Sequence, residues 1–89
     1  MSTNPLLQTL KIIDTLNQQG ACTAATLQTM WNISPSTLKR CIFEARELSA
    51  DICSVRMNRG WVYELRNADS VMTRVKQWID LEEKRNLTL

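Results

Sequence analysis

The chain has no histidine, two glycines, two prolines, one phenylalanine and one tyrosine among 89 residues. Each scarcity excludes something. Without histidine there is no imidazole base for a serine- or cysteine-type hydrolase. With two glycines there is neither a nucleophile elbow nor a glycine-rich phosphate loop. Acidic residues are scattered mostly among cations, so paired-carboxylate chemistry is not suggested. The longest apolar runs are triplets, such as Cys41-Ile42-Phe43 and Trp61-Val62-Tyr63. That is far below the roughly 18 residues of a membrane span. The N-terminus lacks a basic leader and a long apolar stretch, so no signal peptide is expected and a cytoplasmic location is.

Cys22, Cys41 and Cys53 are an odd set with no close pair. A zinc site draws on closely spaced Cys and His ligands, and that pattern is missing. The thiols are expected to be reduced and mostly buried as small hydrophobes. No metal, no cofactor and no enzymatic activity are expected.

Hydrophobic residues make up 44% of the chain, which suits one modest globular core. Net charge is +2, a weak overall field. Its placement says more. Lys11 and Asp14 cancel in residues 1–33, and the charges of residues 67–89 also cancel. The whole excess lies between residues 34 and 66, which carry Lys39, Arg40, Arg46, Arg56, Arg59 and Arg66. Any nucleic-acid affinity must come from how these are arranged.

Asn4-Pro5 reads as a helix start, with Pro at the first helical position. Leu6, Leu10, Ile13 and Leu16 recur at helical spacing, and Gly20 ends the run. Thr23 can cap a short second helix with Ala24, Leu27 and Trp31 on its inner face. Asn32 tolerates the left-handed backbone of a tight turn. Ile33 plugs that turn, and Ser34-Pro35 starts a third helix over 35–48. Leu38, Cys41, Ile42, Ala45 and Leu48 line its apolar face. Its opposite face carries Ser36, Lys39, Arg40, Phe43 and Glu47. Phe43 is out of place there. It either packs beneath a neighbouring element or second subunit, or meets a base by stacking or methyl contact.

From Ile52 the period becomes two. Asn58-Arg59-Gly60 reads as a three-residue hairpin loop. That register sets Met57 opposite Trp61, Val55 opposite Tyr63 and Cys53 opposite Leu65, all on one core-facing side. A fourth helix is expected over 71–85, capped by Asp69 or Ser70. Its apolar side includes Val71, Val75 and Trp78. These either pair with a second chain, the reading preferred here, or fold back on the first helix.

The expected class is therefore α+β, mostly α: a winged helix-turn-helix over residues 1–66 and an added C-terminal helix over 67–89. Residues 23–65 resemble the winged helix-turn-helix of DeoR-type and WYL-domain regulators and of the biotin repressor. The resemblance rests on Thr23-Ala24-Ala25-Thr26-Leu27, on Ile33-Ser34-Pro35-Ser36-Thr37-Leu38-Lys39-Arg40 and on Ile42. It continues through Ala45-Arg46-Glu47-Leu48, Ile52, Val55 and Gly60-Trp61. Departures are Gln28 at the helix crossing, Asn32 for the usual turn glycine and Cys41 for a common acidic residue.

The resemblance implies a recognition helix, 35–48, in the DNA major groove and a wing, 52–65, on backbone or minor groove. It implies DNA contacts from Thr23, Ser34, Ser36, Thr37, Lys39, Arg40, Phe43, Arg56, Asn58 and Arg59. Arg40 is the residue expected to read guanine, because its planar fork matches O6 and N7. The partner is then duplex DNA. The function is that of a transcriptional regulator, a repressor in the first instance, dimeric through Val71, Val75 and Trp78. Two alternatives stand beside it: a winged-helix adaptor that binds protein and not DNA, and an excisionase-like factor that bends DNA.

Overall fold

The computed structural model describes residues 4–58 and 60–88. It is a small, mostly helical α+β domain. The elements are α1 (Pro5–Gln19), β1 (Cys22–Thr23), α2 (Ala24–Trp31), α3 (Pro35–Glu47), β2 (Ile52–Met57), β3 (Gly60–Leu65) and α4 (Ala68–Thr88). Among the described residues no helix is long and apolar enough to cross a membrane.

The helix ends follow local chemistry. Asn4 accepts hydrogen bonds from the Leu6 and Leu7 amides and Pro5 follows it, so α1 starts with its free donors satisfied. Gly20, at φ 79°, turns the chain out of α1. Thr23 accepts from the Thr26 amide at 3.1 Å and Ser34 from the Thr37 amide at 3.2 Å. Asn32 takes the left-handed conformation at φ 51° and ends α2. The Ile33 amide then reaches back to the Gln28 carbonyl, and Ile33 packs on the core.

The end of α3 repeats this device with an unfavourable residue. Ser49 sits at φ 76°, where a Cβ meets the carbonyl oxygen. The Ala50 amide bonds to the Ala45 carbonyl and the Ser49 amide to that of Arg46, which together make a Schellman closure. Asn67 fastens the same turn. Its side chain accepts from the Asp51 amide at 2.8 Å and donates to the Ser49 carbonyl at 2.7 Å.

β1 extends the hairpin into a three-stranded antiparallel sheet ordered β1-β3-β2, with Cys22 opposite Tyr63 and Thr23 opposite Val62. Two residues carry no visible period, so β1 has no signature in the sequence; pairing with β3 creates it. The core joins helices and sheet. Leu10, Ile13, Leu27, Leu38, Cys41 and Ile42 are buried together with Ile52 and Tyr63. Each large side chain so enclosed contributes about 1.5–3 kcal/mol.

Two expectations are corrected here. The first is the hairpin register. Met57 pairs with Gly60, Arg56 with Trp61, Val55 with Val62, Ser54 with Tyr63 and Cys53 with Glu64. The loop therefore holds two residues instead of three. A one-residue slip moves a strand's alternate side chains to the other face. Cys53, Val55 and Met57 thus leave the face of Tyr63, and Val55 and Met57 are exposed. Ile52, Ser54 and Arg56 take their place. Trp61 stays on that face but lies near the hairpin tip, beyond the core, and is 43% exposed.

The second concerns α4, which begins at Ala68 and lies along α1. Val71 and Val75 are fully enclosed in this chain's own core, and Trp78 packs half-buried against it. Of the two arrangements expected for this face, Val71 and Val75 take the fold-back on α1. Polar ties hold the same seam. Lys11 meets Glu83 at 3.3 Å. The buried Glu82 accepts from the Asn4 side-chain amide and from Arg85.

Two outcomes follow from this architecture. Ser49→Gly relieves the left-handed strain and should stabilise the domain by about 1 kcal/mol. That is a rise of roughly 4–8 °C in the melting midpoint by circular dichroism for a domain of this size. Burial pushes the Cys22 and Cys41 thiols up from their ordinary pKa. Ellman's reagent should therefore modify half-buried Cys53 first, and the other two only as the fold opens.

Candidate nucleic-acid interface

The apolar stripe of α3 decides what the helix shows to solvent. Leu38, Cys41, Ile42 and Ala45 are buried, so the outward crest carries Ser36 and Phe43. Two flanks run beside the crest, and they differ in charge.

The flank toward α1 carries Arg40. Its guanidinium donates to the Gln8 side-chain carbonyl at 3.1 Å and meets Glu44 at 3.4 Å. Glu44 also accepts from the buried Thr9 hydroxyl at 2.8 Å. Arg40 is thus part of a brace between α1 and α3. It is held by a carboxylate and turned from the crest, so the residue expected to read guanine is not presented as a free fork. Glu44 and Glu47, with Pro5, Leu6 and Leu48, line the hollow on this side. An acidic and apolar wall of that kind repels phosphate.

The flank toward the hairpin is the opposite. A groove there is lined by Lys39, Ile42, Phe43 and Arg46 from α3 and by Ser54, Trp61 and Tyr63 from the sheet. Lys39 is exposed. Arg46 donates twice to the Ile52 carbonyl, at 3.1 and 2.9 Å, which holds it against β2 without neutralising it. Arg56 lies over the Trp61 ring at 5.9 Å from its centroid, a cation–π contact. Among the described residues none of these three cations has an acidic partner. Lys11, Arg40, Arg66, Lys84 and Arg85 are each paired with a carboxylate. Arg74, which donates to the Ser70 carbonyl, and Lys76 have no acidic partner among the described residues either, but both lie on α4, away from this groove.

The remaining residues singled out from sequence fall as follows. Thr23 and Ser34 use their hydroxyl groups as helix caps; they also donate to Thr26 Oγ1 and Thr37 Oγ1. Thr37 is half-buried beside Ser34, while Ser36 and Asn58 are exposed. Arg59 lies outside the described residues. Arg46 and Trp61 were missed. Arg46 could have been found, because it follows Lys39 and Phe43 at helical spacing. Trp61 could not, because its exposure depends on how far the core reaches toward the hairpin tip.

Comparison with known proteins finds no matching family model, no matching curated protein and no matching solved structure.

The local field around Trp61 can be read directly. Iodide should quench Trp61 more strongly than caesium does, since Lys39, Arg46 and Arg56 draw anions to the ring. The difference should shrink when Trp61→Phe removes the exposed indole, because Trp31 and Trp78 are half-buried.

Proposed function

We propose that this chain is a winged helix-turn-helix regulator that binds a specific duplex DNA site and represses by occupying it. One observation carries the reading. Three cations without carboxylate partners surround an exposed aromatic groove between α3 and the hairpin, while the other flank of α3 is acidic. A polyanion is the ligand that such a division of charge favours.

The order of elements supports it. A short capped helix, a tight turn at Asn32-Ile33 and a second capped helix are followed by a hairpin, as a winged helix requires. In this reading α3 enters the major groove with its crest toward the base edges. Lys39, Arg46 and Arg56 meet phosphates of the strand that passes between helix and wing. Glu47, one turn beyond Phe43, limits the reading surface to the N-terminal part of α3.

The test is selection of bound duplexes from a random library, followed by titration of the enriched site at several salt concentrations. Lys39→Ala, Arg46→Ala and Arg56→Ala should each weaken binding and lower the salt slope by about one. Arg40→Ala should change the slope less, since its charge is already met by Glu44. An inverted repeat in the selected site would mean two copies on DNA. Failure to enrich any duplex at low salt overturns the reading and leaves the surface to a protein partner.

A further inference from the structure

We propose that Phe43 is the specificity-determining residue of this surface and that it reads the C5 methyl group of one thymine in the major groove. The inference rests on the duplex-binding reading above and names what that site recognises.

Phe43 is the large apolar side chain on the crest of α3, and it is 63% exposed. Its neighbours on the hairpin side are cations. Lys39 lies one turn before it and Arg46 one turn after, and neither has an acidic partner among the described residues. An apolar surface set beside unpaired positive charge matches a ligand that is anionic at its edge and apolar at one point within. Duplex DNA has that pattern in the major groove, and only where a thymine is present.

The chemistry of base edges narrows the choice. Guanine, adenine and cytosine show donors and acceptors in the major groove, and thymine adds a methyl group. Phe43 has no hydrogen-bonding atom. Set against a polar edge it would strip water from groups it cannot satisfy, which costs free energy. Set against the methyl group it buries apolar area on both sides. The minor groove offers no methyl group, so the contact also fixes which groove α3 occupies. Arg40 cannot supply the base preference without leaving Gln8 and Glu44. The crest therefore leaves base reading to Phe43, with Ser36 as a neutral hydroxyl beside it.

The experiment exchanges each thymine of the selected duplex, one at a time, for deoxyuridine. That removes the methyl group and keeps the base pair. Affinity is measured for the native chain, for Phe43→Ala and for Phe43→Leu, with circular dichroism confirming that each variant folds. One thymine position for each bound copy should lose about fourfold in affinity on the native chain, the factor expected for one buried methyl group. Phe43→Ala should bind more weakly and respond to that exchange hardly at all. Phe43→Leu, still apolar, should keep part of the response.

An enriched site indifferent to every exchange overturns the assignment alone. So does a response that survives in Phe43→Ala, since another residue would then be reading the methyl group. Failure to enrich any duplex overturns the DNA reading and this assignment with it.

Discussion

Everything this molecule presents on its helix-and-hairpin face depends on the rotation of α3 about its own axis. That rotation is set by burial. Leu38, Cys41, Ile42 and Ala45 are enclosed against α1 and the sheet, and the stripe they form can face only one way. The brace of Arg40, Gln8, Glu44 and Thr9 holds the same orientation from the α1 side. Once the stripe is buried, Phe43 must point to solvent and Lys39 must point toward the hairpin. Changing any one of these without the others would need a different helix.

The second constraint is the hairpin register. A loop of two residues between Met57 and Gly60 sets Arg56 opposite Trp61. It thereby brings a cation beside the exposed indole on the side of the sheet that faces α3. A loop one residue longer would have carried Arg56 to the other face and closed the groove with Met57. The charge pattern of the surface is therefore decided by turn length as much as by composition. The weak net charge of the chain hides a local division, with three cations that lack a carboxylate partner gathered around one groove and two carboxylates, Glu44 and Glu47, on the opposite flank of α3.

Most helix ends were legible from the residues alone. Asn4-Pro5, Gly20, Thr23, Asn32 and Ser34-Pro35 act through bonds to amides a few positions away, so no distant contact is needed to read them. The α3 stripe was legible for the same reason. Strand β1 was not, because it exists only through Tyr63 and Val62. The role of α4 was not legible either. Val71 and Val75 announce an apolar face, and nothing local distinguishes a partner helix in the same chain from one in another.

The sequence by itself determined the capped helices, the change to a period of two at Ile52 and the concentration of cations between residues 34 and 66. These are properties of neighbours along the chain. Only the tertiary structure decided that α4 packs on α1 and that Arg40 is held by Gln8 and Glu44. It also decided that Arg46, Arg56 and Trp61 join Lys39 and Phe43 around one groove. Those outcomes turn on which of several equally apolar faces meet and on a one-residue choice of register. Both are settled by packing over the whole domain and not by any short stretch of it.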